Sequence, residues 1–180
     1  RLVQVLKEQD RYEDAMIILL ADHGESLTER ELWFDHGTSA HVEQLQVPLI
    51  VKYPGGKRAG SVDDRLVSLV DVAPTVLSVA GLPALPDPAG LPLTQAGVLH
   101  TELTGESSHC KEVAGLPCWP RGGLGKELAV RSLTETTVYK QRQSGPLVEH
   151  YSRSGDPAEA QPETVVEIPA ALQGLVADRQ

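Results

Sequence analysis

Aromatic residues are scarce. Two tryptophans, four tyrosines and one phenylalanine serve 180 residues, so aliphatic side chains must fill the core. Long apolar runs are absent, and none nears the roughly 20 residues that span a bilayer. This excludes a membrane-spanning helix from the sequence. Positive charge is in deficit, with 16 Lys and Arg against 25 Asp and Glu and a net charge of −9. No basic cluster offsets it, which excludes a nucleic-acid or anionic-membrane surface. Cysteine is nearly missing. Cys110 and Cys118 are too few for a disulfide framework; two free thiols are the simpler reading and one bridge the alternative. The opening RLVQVLKEQDRYED reads as a charged helix rather than a signal peptide, and no initiator Met begins it. The chain is therefore expected to be a piece of a longer protein.

What is there is ordinary globular material, 41% hydrophobic and 23% charged, enough for one domain or slightly more. Leu2, Val5 and Leu6 fall at helical spacing over residues 1–9. AMIILLA (15–21) and VPLIVKY (47–53) are continuous apolar runs, expected to be strands of a mostly parallel sheet covered on both faces. SLVDVAPTVLSVAG (68–81) predicts a helix capped by Asp71, with Pro74 tolerated in its first turn and Gly81 ending it. Helix, strand, strand, helix is α/β order. Residues 82–126 are rich in Pro and Gly and read as surface connection. ELAVRS (127–132), ETTVYKQR (135–142) and PLVEHYSR (146–153) then predict a small antiparallel sheet, and PAALQGLVADRQ a final helix. The expected organisation is an α/β part over 1–105, a connection over 106–126, and a small antiparallel sheet plus helix over 127–180.

The stretch LLADHGESLTERELWFDHG carries the chemistry. Asp22 and His23 follow the first strand at its carboxyl end, where α/β sheets place ligands. One hard oxygen and one imidazole on adjacent residues suit a divalent cation, and Gly24 lets the backbone turn away. A capping Asp beside a satisfied His is the alternative. His36-Gly37 returns after a polar loop containing Thr28, Glu29, Arg30 and Glu31, which can bring His36 back toward Asp22. Glu25 reads as the cap of a short helix over ESLTEREL and is left out of the ligand set. His41 reads as a surface histidine with no role.

The ordered motifs DHGE, FDHG, VPLIVKYPGG and VSLVDVAPTVLSVAGLP, all within residues 17–83, resemble the C-terminal half of the sulfatase family in the alkaline-phosphatase-like superfamily. Residues 127–180 are more loosely similar to its small C-terminal sheet, with SGDPAE resembling the Asp-Pro-x-Glu loop after it. The resemblance implies an alkaline-phosphatase-like sandwich, present in part, and hydrolysis of a small-molecule or carbohydrate sulfate ester. Relatives cleave phosphate or phosphonate esters. It implies a divalent cation, calcium first with manganese or zinc as alternatives, bound by carboxylates from both halves of the domain. Asp22 matches the metal-binding Asp and His23 the adjacent ligand position. His36 matches the His of the following His-Gly motif, near the ester oxygens. The nucleophile of the family is a formylglycine made from Cys or Ser in a C/S-x-P-S-R motif far upstream. Members are often secreted, periplasmic or lysosomal, and nothing in this sequence chooses a compartment.

The sequence also departs from that pattern. It has no C/S-x-P-S-R motif; CWPR (118–121) has its Arg one residue early and lies after the metal pair. The family's paired N-terminal aspartates are missing, and Asp63-Asp64 reads as a solvated turn. TSAHVEQ stands where the family has a lysine motif, with His41 in that neighbourhood. The chain is thus expected to supply part of the metal shell and a proton donor, but no nucleophile, and to be inactive alone. A phosphodiesterase, phosphonate hydrolase or phosphoglycerol transferase, with His23 and His36 serving two transition metals, is the alternative chemistry. A non-catalytic domain retaining the fold is the alternative class.

Overall fold

The two apolar runs form strands β1 (Ile17–Leu20) and β2 (Leu49–Lys52) in the computed structural model, which describes residues 1–107, 127–142, 145–165 and 167–177. Cys110, Cys118 and the CWPR stretch lie outside the described residues. The strands pair antiparallel, from Ile17 opposite Lys52 to Leu20 opposite Leu49. The parallel pairing expected of them is not found among the described residues, where every pairing is antiparallel. A continuous apolar run reports that both faces of a strand avoid water, and it carries no information about strand direction. Leu19 and Ile50 are 57% and 63% exposed, so this ribbon holds apolar surface that the described chain leaves uncovered.

The chain divides into two compact units, Arg1–Asp22 with Pro48–His100, and His23–Val47 with Thr101–Gln180. The first contains the ribbon, helix α1 (Leu2–Glu8) and helix α3 (Val72–Ala80), which ends at Gly81 as expected. Lys52 Nζ donates to the carbonyls of Glu13 at 2.8 Å and Ala15 at 3.0 Å, pinning the turn that feeds β1. Asp71 does not cap α3 directly. A 3-10 turn, Leu69–Asp71, precedes that helix, and Asp71 accepts the Ser68 N–H at its head at 2.8 Å. The same fully buried carboxylate accepts the Leu91 N–H at 2.8 Å and meets His100 Nε2 at 2.9 Å. One side chain thereby ties the Pro/Gly-rich segment to the start of α3.

The second unit is built on a five-stranded antiparallel sheet in the order β3 (Leu103–Glu106), β4 (Glu127–Arg131), β5 (Glu135–Arg142), β6 (Gly145–Ser152), β7 (Glu163–Val165). The three central strands were expected. The edges escape pattern reading because one contains a glycine and the other is three residues long. Alternation divides the core. Leu128, Val130, Tyr139 and Val148 pack with Leu172 and Val176 of helix α4 (Ala170–Ala177). On the other face Ala129, Val138 and Tyr151 pack with Ala40 and with Leu45 of the short helix α2 (Val42–Leu45). Residues 23–47 are therefore fixed by the C-terminal sheet, which is how the fold positions His23 and His36.

Candidate active site

Asp22 lies two residues beyond β1, exposed, and His23-Gly24 follow. Gly24 is required by close approach. A Cβ there would collide with the Glu43 carbonyl oxygen, and the Gly24 N–H donates to the Gln44 carbonyl at 2.8 Å. His23 Nδ1 sits 2.8 Å from the Gly24 carbonyl oxygen. In the neutral ring Nδ1 then carries the hydrogen and Nε2 the lone pair.

The second His-Gly is brought back by a backbone bridge. Ser26 and Asp35 exchange N–H···O bonds of 2.8 and 3.1 Å, closing residues 27–34 into a loop. The short helix expected over ESLTEREL reduces to a 3-10 turn, Glu29–Glu31. Its first residue, Glu29, accepts the Leu27 and Thr28 N–H groups at 2.7 and 3.0 Å. Glu25 is freed from that role and faces His36, with Oε1 3.4 Å from Nδ1. Gly37 follows with φ 73°, a left-handed conformation that glycine adopts at little cost. His36 and His23 meet as a stack, with ring centroids 4.3 Å apart and planes 17° from parallel.

The stack limits the chemistry. An imidazole lone pair lies in its ring plane, so two nearly parallel rings cannot both aim a nitrogen at one ion at about 2 Å. One ring can ligate while the other serves as donor, or each can serve a different ion. Asp22 and His23 offer a carboxylate and an imidazole, a donor set that fits a divalent cation. Among the described residues no group of three or more His, Cys, Asp or Glu converges as a complete shell, so further donors are needed.

His41, expected at the surface, is fully buried. Its Nδ1 lies 2.7 Å from Ser39 Oγ and 3.2 Å from Glu127 Oε2; its Nε2 lies 3.2 Å from the Tyr151 hydroxyl and 3.4 Å from Glu149 Oε2. Lys140 bridges the two carboxylates at 3.5 and 2.7 Å. Burial pushes the Glu127 carboxyl up, but the His41 hydrogen bond and the Lys140 charge outweigh it and hold the group at about 2. Glu149 is likewise held well below the carboxylate range against its burial, by His41 and Lys140, and the Tyr151 phenol is pushed up by burial and by Glu149. Because folding lowers the Glu127 value, its contribution to stability is complete above its ordinary 4.5 and is lost as pH falls toward about 2. Denaturant midpoints should therefore fall through that window, and Glu127→Gln should flatten the fall. An unchanged acid limb in the variant would refute the assignment.

The Asp-Pro-x-Glu loop supplies a second tie. Glu159 is fully buried; its Oε2 accepts the Val42 N–H at 2.9 Å, and its Oε1 lies 3.1 Å from Arg131. Neither His41 nor Glu159 was assigned a role from sequence. Glu127 stands 86 residues and Glu149 108 residues from His41, and Glu159 stands 117 from Val42; no local pattern signals such pairing.

Comparison with known proteins bears on the family and the fold. The sulfatase family model matches residues 1–82. An endo-4-O-sulfatase of Bacteroides thetaiotaomicron is 33% identical over 82 residues, 46% of this chain and 16% of that enzyme. A structure in complex with its substrate D-glucosamine-2-N,6-O-disulfate superposes with a TM-score of 0.72 at 21% identity, over 99% of this chain and 35% of the other. The phosphonate monoester hydrolase of Agrobacterium radiobacter gives the same TM-score and identity, over 99% of this chain and 36% of that one. The chain thus spans about a third of the solved structures it resembles, and those structures share an alkaline-phosphatase-like fold. Residues 1–82 of this chain match the sulfatase family model, and the chain as a whole has the fold of those solved structures.

Proposed function

We propose that the chain forms part of the catalytic domain of a metal-dependent sulfuric ester hydrolase acting on sulfated carbohydrate. Asp22 and His23 hold the cation and His36 donates a proton to the ester or leaving-group oxygen. The observation that carries this reading is the His23–His36 stack with Glu25 beside His36, since it leaves one imidazole for the metal and one for the proton. The preferred cation is calcium, with manganese or zinc as alternatives, and when bound it would polarise the sulfuryl oxygens. Glu25 orients the His36 ring, and Gly37 lets the loop turn away behind it. The nucleophile in this reading is a formylglycine provided by sequence N-terminal to this segment, as are the remaining metal carboxylates. The carbohydrate class is supported by relatives whose names specify sulfated sugars.

The similarity to a phosphonate monoester hydrolase supports a second reading, in which the same residues serve phosphonate or phosphodiester cleavage. Side-by-side assays decide. The intact protein should release sulfate from O-sulfated glucosamine faster than it cleaves a phosphonate monoester, and the 180-residue chain alone should turn over neither. Aryl sulfate turnover by the isolated chain would sink the division of labour, and faster phosphonate cleavage by the intact protein would favour the second reading.

A further inference from the structure

The segment TSAHVEQ stands where the resemblance calls for a lysine motif, and its last residue, Gln44 on α2, reaches both His-Gly pairs. Gln44 is buried, at 4% exposure. Its main-chain carbonyl accepts the Gly24 N–H at 2.8 Å, next to His23. Its side-chain Nε2 donates to Ser26 Oγ at 2.7 Å and to the Asp35 carbonyl at 3.2 Å. Its Oε1 accepts the N–H groups of Thr38 at 3.1 Å and Ser39 at 3.0 Å. Asp35 and Thr38 flank the His36-Gly37 pair, so one amide holds the chain on both sides of His36 while the same residue's backbone holds the chain beside His23.

We propose that Gln44 is the positioning residue that sets the His23–His36 stack. Four hydrogen bonds with two donations and two acceptances exhaust what a primary amide can make, and among neutral side chains only Gln or Asn can make them. Buried polar groups are costly to leave unpaired, and loss of the amide leaves Ser26, the Asp35 carbonyl and the Thr38 and Ser39 N–H groups without their common partner. Glutamate at this position, protonated because a carboxylate would be buried against the Asp35 carbonyl, keeps both acceptances, donates to that carbonyl and can receive the Ser26 hydroxyl. Leucine, of similar volume, fills the space and keeps none of the side-chain bonds.

That Gln44 serves catalysis rests on the role proposed for His36; that it sets the ring geometry does not. The test is therefore spectroscopic, on the intact protein freed of metal. Stacked imidazoles shift each other's ring-proton resonances, so His23 and His36 should show mutual ring-current shifts, removed reciprocally by His23→Ala and His36→Ala. Gln44→Leu should abolish those shifts while the methyl and ring signals of Val138 and Tyr151 in the sheet core stay in place, and Gln44→Glu should retain them. Unchanged His23 and His36 signals in Gln44→Leu would overturn the proposal. If Gln44→Leu does not fold, Gln44→Glu decides: retained shifts support the assignment, and their loss in a folded chain overturns it. In the intact protein, failure of the His36 role would show as unaltered turnover in Gln44→Leu despite lost shifts.

Discussion

Asp22→Ala, made in the intact protein, is expected to remove most of the bound divalent cation and nearly all turnover while leaving the melting transition in place. Asp22 is the one carboxylate of the proposed pair, and a hard divalent cation draws most of its binding from charged oxygen. His23 alone cannot replace it, because a single neutral imidazole neutralises no charge. The fold should survive because Asp22 is exposed and follows the end of β1, so truncation opens no cavity. Asp22→Asn, which keeps an oxygen without its charge, should retain an intermediate amount of metal. Elemental analysis per polypeptide, read beside a thermal melt, checks both halves. A full metal complement in the alanine variant would overturn the assignment.

His36→Ala should lower turnover by roughly 10²–10⁴, the usual range for general acid–base help, with metal content unchanged. The reasoning starts from the stack. If His23 directs a nitrogen to the cation, His36 lies in a nearly parallel plane 4.3 Å away and cannot converge on the same ion. It is left half-exposed beside Glu25, free to meet a substrate oxygen. In a two-metal enzyme His36 would be a ligand, and the variant would lose one equivalent of metal. Measuring activity and metal together on one preparation separates the cases. Full activity would refute both.

Much of the local structure around the candidate site was legible because its signals are local. An Asp and a His directly after a short apolar run mark a strand end, and a second His-Gly one polar loop later marks a return. Both readings need only neighbouring residues. The helix over 72–80 was legible for the same reason, since Pro74, Gly81 and the apolar spacing act within a few turns. Local signals failed where a residue had two local uses. Glu25 read as a cap, but the Leu27 and Thr28 N–H groups go to Glu29, and Glu25 faces His36. Gly24 was read as letting the backbone turn away, yet its reason is the close backbone of Glu43 and Gln44.

By itself the sequence determined the α/β order, the central strands of the small sheet, and the positions of Asp22, His23 and His36, because periodicity, caps and motif spacing act between residues close in the chain. Only the tertiary structure decided the antiparallel pairing of β1 with β2, the burial of His41 and Glu159, and the hold of Gln44 on both His-Gly pairs. Those depend on groups distant in the chain meeting in a desolvated setting. There, burial of a polar atom is tolerated only if a partner arrives from another element, and the identity of that partner is written in no local pattern.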